Sequence, residues 1–372
     1  MICLKTIWQS LCPCMASSVN KKKDNQISDY NELKSREYKV PTDRFPTVDS
    51  VIESRKWLIK EFLGKGSYGD VRRTVNSKTG EVMACKKIAI NNDEVISAKN
   101  CERNWHQLNG ELVLLVRSKH HNHNNIVRVV DHFIIKQWKL FACYLVMELA
   151  NGRTVYDRMW NQQSAKYMPL TEDIAKQYIR DTACGLSHLH ENKITHKDIK
   201  LSNLLVFIDD NDNNNKCVVK IADFSTSRIS FNDEDHIKDH RYQGTVDYMS
   251  PQIYRLYAYR QTGRQLLNHS LKSYDPFAAD SWSLGVCLFV MICARIPFLP
   301  EDHDYYSQDL HNFDTYQTIY SNMINRKYKL SHKIRKTSRD MSDMLDQLLD
   351  PQPTKRLSMA SVLKHKWLIS DS

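Results

Sequence analysis

The sequence contains no long hydrophobic run. Nowhere in its 372 residues is there a stretch of roughly 18 uninterrupted apolar residues, the length needed to cross a membrane. The first stretch, "MICLKTIWQSLCPCMASS", lacks a long apolar core and carries Lys5, which argues against a secretory signal peptide. We therefore expect no membrane span and an intracellular, cytoplasmic location, with access to the nucleus left open.

The cysteines are also not spaced as in disulfide-bonded proteins. The ten cysteines show no pattern typical of a disulfide framework, which indicates a reducing compartment. No His and Cys partners at zinc-ligand spacing follow Cys3, Cys12 and Cys14, so we interpret these three as unstructured thiols in preference to acylation or metal sites. Five others lie in apolar segments, where a thiol packs as a small hydrophobic side chain: Cys85, Cys143, Cys184, Cys287 and Cys293.

A concentrated basic surface is also absent, although basic residues are in excess. Lys and Arg total 53 against 43 Asp and Glu, a formal net charge of +10. Such an excess can serve an acidic partner, a membrane surface or a nucleic acid. Here it is scattered, with one compact run at Lys21–Lys23, so we interpret it as solvated surface and predict no nucleic-acid binding.

The order of apolar patterns along the chain predicts an extension and two lobes. Residues 1–50 are polar without sustained periodicity and are predicted to be a flexible extension. Residues 57–148 show strand patterns around turns, with one helical pattern that contains Leu112. From residue 149 onward the pattern is mainly helical, and "DSWSLGVCLFVMICARI" predicts a buried helix. This indicates an α+β fold, with a small antiparallel sheet and one main helix followed by a larger helical lobe.

Three stretches are predicted to be surface insertions with little chemistry. One is the loop of a hairpin, "IDDNDNNNK". The others flank the predicted buried helix, with "RLYAYRQTGRQLLNHSLKSYDP" before it and "EDHDYYSQDLHNFD" after it. The chain shows no internal repeat.

A glycine-rich stretch near the start of the first lobe has two interpretations. In "GKGSYGDV", the glycines Gly64, Gly66 and Gly69 could let a turn lie close over phosphate groups with its backbone N–H groups directed at them. The same spacing also fits a tight turn without a ligand, and both interpretations stay open. A dinucleotide-binding fold is disfavoured because a strand, and not a helix, follows.

A lysine on the third predicted strand calls for a partner. Lys86 in "ACKKI" is costly to desolvate at a strand centre unless it is paired. Glu111, at the head of the following helical pattern, is the better candidate, and Glu102 is its rival. The alternative is an outward-facing lysine, as expected for its neighbour Lys87.

The most specific signal is "ITHKDIKLSNLLVF" followed by "VVKIADF". It supplies the groups that phosphoryl transfer demands: a carboxylate to take a hydroxyl proton, an ammonium beside the transferred phosphate, and an amide and a second carboxylate to hold a metal. The residues, in order, are His196, Asp198, Lys200, Asn203 and Asp223.

Together these motifs make residues 57–368 resemble a eukaryotic protein kinase, with a two-lobed fold divided into 57–148 and 149–368. The stretches "GTVDYMSP" and "DSWSLG" match the family's substrate-side loop and buried helix. Lys200 and Thr245 resemble the serine/threonine branch. The ending "LLDPQPTKRLSMASVLKHKWL" leans weakly toward calcium/calmodulin-kinase-like enzymes, although no calmodulin-binding tail follows it.

The resemblance implies catalytic roles for five residues. Asp198 would be the base, and Lys200 would neutralise the transferred phosphoryl group, beside Thr245. Lys86 would contact the α and β phosphates of ATP, and Glu111 would brace it. The substrate implied is a protein with serine or threonine hydroxyls, and the oligomeric state is left undetermined.

The resemblance also implies ATP and Mg²⁺ as cofactors. Asn203 and Asp223 would bind the metal. Met147 would guard the adenine pocket, with Glu148 to Ala150 as the hinge. The residues implied to surround the nucleotide are Leu63, Gly64, Lys65, Gly66, Ser67, Tyr68, Gly69, Val71, Ala84, Lys86, Met147, Glu148 and Ala150.

Three residues depart from the family pattern without removing the base or a metal ligand. Ser225 replaces a glycine, and its Cβ is costly only if the backbone needs a positive φ. Lys197 replaces an arginine, keeping the charge but losing the planar fork. Gln252 replaces a glutamate and is expected to keep a hydrogen bond to Arg356 while losing the ion pair.

Because of these departures, an active kinase is preferred, but a pseudokinase that binds nucleotide and partners without turnover is kept as the alternative. A small-molecule kinase is disfavoured because "GTVDYMSP" supplies a peptide-side loop. The stretch "FNDEDHIKDHRYQ" has no serine or threonine, and Asp233, Glu234 and Asp235 could pair with Lys197 where a phosphate would otherwise sit. The competing interpretation is a solvated loop tip.

Overall fold

The protein is described from a computed structural model. Contacts between Cα atoms divide the chain into two compact units, which are described one at a time. The predicted extension 1–50 and the predicted helix that contains Leu112 lie outside the described residues. The structure describes residues 57–66, 69–91, 123–137, 140–209, 216–229, 243–266, 273–300 and 313–370.

The first unit contains a five-stranded antiparallel sheet. Its strand order is β1-β2-β3-β5-β4, so the first three strands form the predicted meander and the last two complete the predicted small sheet. The strands are β1 (Trp57–Gly66), β2 (Gly69–Asn76), β3 (Val82–Asn91), β4 (Val129–Gln137) and β5 (Leu140–Glu148).

One face of this sheet packs as the core of the first unit. Successive side chains of a strand point to opposite faces, so Met83 and Cys85 on β3 lie on the same side. They belong to a buried cluster with Trp57, Phe133, Tyr144 and Val146. The rings of Phe133 and Tyr144 stack with centroids 5.0 Å apart. This packing leaves the alternate residues of β3 for the opposite face.

The second unit is mainly helical, as predicted. Its two longest helices, α2 and α4, begin at side-chain caps, where Thr171 accepts from Ile174 N and Asp275 accepts from the N–H groups of Phe277 and Ala278. The helices are α1 (Val155–Arg158), α2 (Glu172–Glu191), α3 (Pro251–Thr262), α4 (Pro276–Cys293), α5 (Phe313–Ile324), α6 (His332–Thr337), α7 (Arg339–Leu348), α8 (Met359–Leu363) and α9 (Lys366–Ile369).

Short strands complete the second unit. The predicted hairpin is formed by β9 and β10, and β8 pairs with β11 on either side of it. The strands are β6 (Trp160–Asn161), β7 (Lys166–Tyr167), β8 (Ile194–Thr195), β9 (Leu204–Ile208), β10 (Cys217–Ile221) and β11 (Arg228–Ile229). Single-turn 3₁₀ helices lie at Leu201–Asn203, Val246–Tyr248 and Pro353–Lys355.

Helix α4 is the predicted buried helix. Among the described residues it alone is long and apolar enough to cross a membrane by length and composition, and 72% of that stretch is buried inside the structure. Burial on all sides is how an apolar helix sits in a protein core.

Two parts of the fold differ from the sequence analysis. Of residues 113–128, the described ones, 123–128, group with the second unit, whereas we placed all of 57–148 in the first lobe. The described part of this stretch is tied to β10, since Asn125 Nδ2 donates to Val219 O at 3.1 Å and Val127 N donates to Ile221 O at 2.9 Å. The predicted surface insertion from Arg255 also begins within α3, where Ala258 is fully buried.

The end of the chain is fastened to helix α2. Glu172 Oε1 accepts a hydrogen bond from Trp367 Nε1 at 2.9 Å, and Lys176 Nζ donates to Ser370 O at 2.6 Å. Residues four apart lie on the same helical face, so both contacts reach the turn formed by α9. The closing helices therefore contribute to the core of the second unit.

We predict that Trp367→Ala lowers the free energy of unfolding by about 3–5 kcal/mol, because it removes a buried ring and an indole donor. Ile369→Ala is the matched control. Ile369 lies in the same helix with 64% of its surface exposed, and its replacement should change stability by less than about 0.5 kcal/mol. Urea unfolding followed by circular dichroism measures both, and equal losses would contradict the inferred fastening.

Candidate active site

A buried carboxylate on α4 holds the loop that contains the predicted base. Asp280 is 1% exposed, and its Oδ2 and Oδ1 accept hydrogen bonds from His196 N at 2.9 Å and Lys197 N at 2.8 Å. His190 Nε2 lies 3.0 Å from the same Oδ2. The sequence analysis gave Asp280 no role. A lone acidic residue in an apolar helix was the available signal, since a buried charge needs partners.

His196 is held as a neutral ring. Its Nε2 lies 3.0 Å from Ala222 O and its Nδ1 accepts from Asp198 N at 3.3 Å, which fits the tautomer with hydrogen on Nε2. Complete burial lowers the pKa of the imidazole, although the nearby carboxylates of Asp280 and Asp198 oppose this shift. The ring also meets Phe224 edge to face at 4.9 Å. His196 thus links the loop of the base to the segment before Asp223.

Asp198, the predicted base, is fixed by four donors from three residues. Its Oδ1 accepts from Thr245 N at 2.9 Å and Thr245 Oγ1 at 2.8 Å. Its Oδ2 lies 2.8 Å from Lys200 Nζ and accepts from Asn203 Nδ2 at 3.2 Å. Lys200 Nζ also donates to Thr245 Oγ1 at 2.7 Å. The structure therefore brings four predicted site residues into one hydrogen-bonded group.

The residues predicted to hold Mg²⁺ have suitable donor atoms. Asn203 uses Nδ2 in bonds to Asp198 O and Oδ2, so Oδ1 is the side-chain atom left to act as a ligand. Ala222 N, one residue before Asp223, donates to Asn203 O at 2.9 Å, which brings the two chain segments together. The described residues contain no group of three or more His, Cys, Asp or Glu placed to hold a metal. Mg²⁺ commonly takes one or two protein ligands and shares the phosphates of the substrate, so these two residues fit.

The substrate-side loop approaches the loop of the base very closely at one glycine. Gly244 has φ +103°, and a Cβ placed there would lie 2.5 Å from Lys197 O. The Lys197 side chain is buried and donates to Gln243 Oε1 at 2.7 Å. A small pocket lies beside these residues and is also lined by Tyr248 and Met249. Only glycine permits this approach.

In the first unit, four predicted nucleotide-binding residues share one sheet face. Val71 pairs directly with Lys86, and Ala84 pairs directly with Met147, in antiparallel register. Directly paired residues lie on the same face, as do residues two apart on β3. This face is opposite the one with Met83, and Lys86 is 4% exposed. The outward-facing alternative for Lys86 is therefore wrong.

The glycines of the first unit differ in what they require. A Cβ at Gly69 would lie 1.8 Å from Lys87 O, so strand packing demands glycine there. A Cβ at Gly64 would meet none of the described residues within 4 Å, so packing against them does not explain that glycine. Leu63 is exposed, Glu148 and Ala150 are half-buried, and Ala150 begins the second unit. Lys65 and Gly66 pair with Asp70 and Gly69, whereas Ser67, Tyr68, Glu102 and Glu111 lie outside the described residues.

A protein-family model supplies the deciding comparison, since the model described as the protein kinase domain matches residues 57–368. The chain belongs to the protein kinase family. The resemblance predicted from its motifs is confirmed, and so is the two-lobed fold class. The pseudokinase alternative gains no support, because Lys86, Asp198 and Asp223 are all present.

Curated relatives of this kinase carry names from the serine/threonine branch. A probable serine/threonine-protein kinase of Dictyostelium discoideum is 30% identical over 82% of this chain and 37% of its own length. Serine/threonine-protein kinase GRIK2 of Arabidopsis thaliana is 27% identical over 83% of this chain and 64% of its own. CBL-interacting serine/threonine-protein kinase 26 of Arabidopsis thaliana is 27% identical over 84% and 58%. The chain thus spans between about a third and two thirds of these relatives.

The CBL-interacting relative is compatible with the lean toward calcium/calmodulin-kinase-like enzymes, which stays a prediction. The roles of the individual site residues also stay predictions, as does the pairing of Asp233, Glu234 and Asp235 with Lys197. Those three acids lie outside the described residues.

Gln252 forms the hydrogen bond that the sequence analysis expected of it. Arg356 Nη2 donates to Gln252 Oε1 at 2.7 Å, and Gln252 Nε2 donates to Pro351 O at 2.7 Å. Arg356 also donates to Asp350 O and Ala278 O. Burial lowers the pKa of this guanidinium to about 9, so it is still charged at neutral pH and needs every acceptor. The amide serves both partners, whereas a glutamate could not donate to Pro351 O.

We predict that Gln252→Ala lowers the free energy of unfolding by about 1–3 kcal/mol, the cost of leaving buried polar groups unsatisfied. Gln261→Ala removes an exposed glutamine from the same helix, α3, and should change stability by less than about 0.5 kcal/mol. Denaturant titration of both variants measures the difference. A Gln252→Ala variant as stable as wild type would refute a structural role for this amide.

Stability should also fall in mild acid because of His196. The native state keeps the ring neutral, whereas the unfolded chain binds a proton with a pKa of about 6.5. The unfolded state therefore binds more protons below that pH, and the contribution of His196 is present above pH ~6.5 and lost as the pH falls, by up to about 1.4 kcal/mol per pH unit.

The test compares the unfolding free energies of wild type and His196→Gln between pH 8 and pH 5. The variant should be less stable at pH 8, and the difference should shrink toward pH 5. His332→Gln replaces an exposed histidine and should follow the wild-type curve. A difference that is the same at both pH values would contradict a neutral, buried His196.

Proposed function

We propose that this protein is an ATP-dependent serine/threonine protein kinase that transfers the γ-phosphate of ATP to a hydroxyl of a protein substrate. The observation that carries the proposal is the group around Asp198, in which Thr245, Lys200 and Asn203 all donate to one carboxylate. The family membership of the chain and the names of its relatives support it.

Asp198 is placed to accept a proton from a substrate hydroxyl. Its two oxygens are oriented by donors on opposite edges of the carboxylate, Thr245 on Oδ1 and Lys200 on Oδ2. A carboxylate held in this way is already in its reactive orientation before the substrate binds. Such positioning is a main source of catalysis in phosphoryl transfer.

Lys200 is placed to stabilise charge at the same point. Its ammonium lies within 2.8 Å of both Asp198 Oδ2 and Thr245 Oγ1. A cation beside the base can balance the negative charge that develops on the transferred group. Thr245 belongs to the substrate-side loop, and its hydrogen bonds to this pair fix the position of the loop relative to the base.

Asn203 and Asp223 would hold Mg²⁺, which supplies positive charge against the phosphates when it is bound. In the first unit, Val71, Ala84 and Met147 present an apolar sheet face suited to a nucleotide base, beside the buried ammonium of Lys86. The glycine-rich turn that contains Gly64 would lie over the phosphates. The protein substrate and a cytoplasmic location stay predictions.

We expect Asp198→Asn to reduce phosphorylation about 10²–10⁴-fold, the usual contribution of a positioned general base. The assay is the purified full chain with Mg-ATP and a mixed peptide library, with the phosphorylated residues identified by mass spectrometry. Asp340→Asn, at an exposed position in α7, is the matched control and should keep wild-type activity.

Phosphate should appear on serine and threonine. Activity that survives Asp198→Asn unchanged would come from a contaminant and would remove the assignment of the base. Phosphate mainly on tyrosine would contradict the serine/threonine assignment.

A further inference from the structure

The serine that replaces the family's glycine contacts the predicted metal ligand. Ser225 Oγ donates a hydrogen bond to Asp223 Oδ1 at 2.6 Å, and Ser225 is only 4% exposed. The backbone N–H of Ser225 lies 3.5 Å from the same oxygen, which is at the limit of a hydrogen bond. The hydroxyl therefore makes the strong contact, and a glycine could not make it.

Backbone geometry does not explain the serine. Ser225 is not among the described residues with positive φ, so its Cβ causes none of the strain that a glycine would avoid. Asp223 does have a positive φ, +62°. A non-glycine residue in this region costs free energy and persists only where its surroundings fix it. The hydroxyl of Ser225 supplies one such fixed contact, directly on the carboxylate.

The next two hydroxyls of the segment act elsewhere. Thr226 Oγ1 and Ser227 Oγ both donate to His196 O, at 2.9 Å and 3.3 Å. Three consecutive hydroxyl residues thus have two distinct targets. Ser225 alone of the three reaches the metal aspartate, and Ser227 provides a natural comparison for any effect of losing a buried hydroxyl.

We propose that Ser225 is a positioning residue for the metal: its hydroxyl holds the Asp223 carboxylate in the orientation that binds the divalent cation and thereby raises metal affinity. This inference rests on the proposed function, in which Asp223 is a metal ligand. It gives the side chain after Phe224 a role, whereas the sequence analysis considered only the backbone cost of its Cβ.

Two effects of the hydrogen bond oppose each other. Donation to Oδ1 withdraws electron density from the Asp223 carboxylate and so weakens it as a metal ligand. The same hydrogen bond also orients the carboxylate in advance, so less conformational entropy is lost when the metal binds. Hydrogen-bond partners of metal-binding carboxylates usually raise affinity, and losing one typically costs about 10–100-fold. The positive φ of Asp223 adds to the need for orientation, so the second effect dominates.

The test measures metal affinity directly. The intact protein, loaded with a non-hydrolysable ATP analogue, is titrated with Mn²⁺ and Mg²⁺ by calorimetry, and the melting temperature is recorded with and without metal. Ser225→Ala and Ser225→Gly should weaken metal binding about 10–100-fold. Ser225→Thr keeps the hydroxyl and should keep the affinity. Ser227→Ala, the matched control, should also keep it.

The Asp223→Asn variant distinguishes failure of the Ser225 inference from failure of the proposed function on which it rests. If Asp223→Asn leaves metal affinity unchanged, Asp223 is not a ligand and the metal assignment of the proposed function fails. If Asp223→Asn weakens binding while Ser225→Ala and Ser225→Gly do not, the positioning role alone is overturned. If Ser225→Ala lowers the metal-free melting temperature and leaves the metal-induced shift intact, the hydroxyl is only structural, which also overturns it.

Discussion

The buried carboxylate of Asp280 is the contact on which the rest of the site depends. It lies in an apolar helix, where an unpaired charge would be very costly, and its oxygens accept two backbone N–H groups from the neighbouring loop. Those two groups belong to His196 and Lys197, and Lys197 has a positive φ of +70°. The core of the second unit thereby fixes an unusual backbone conformation immediately before Asp198.

Hydrogen bonds connect the loop held by Asp280 to the other segments of the site. His196 reaches Ala222 O, and Asn203 receives Ala222 N, so the segment that leads to Asp223 is held from two sides. Thr245 attaches the substrate-side loop to Asp198, and Gly244 lets that loop lie against the backbone of Lys197. The predicted base, the predicted metal ligands and the predicted substrate-side loop are therefore parts of one network, whose geometry is decided by packing around α4.

The departures from the family pattern each find a polar partner. Lys197 donates to Gln243, Gln252 accepts from Arg356, and Ser225 donates to Asp223. Gln252 makes an uncharged hydrogen bond where the family pattern has a charge pair. Lys197 makes a single contact where the family arginine offers a forked one. Ser225 adds a hydrogen bond where the family glycine has no side chain. Such bonds keep geometry while changing strength.

The sequence by itself determined the α+β fold, the meander of strands and the buried helix, and it predicted the phosphoryl-transfer residues, because periodicity and short motifs are local properties. Tertiary structure alone decided that residues 123–128 join the second unit, that α3 is a helix and that Asp280 anchors the loop of the predicted base. It also decided that Ser225 reaches Asp223. The physical reason is that hydrogen bonds such as Asp280 to His196 join residues distant along the chain, and their partners become definite only when the core packs.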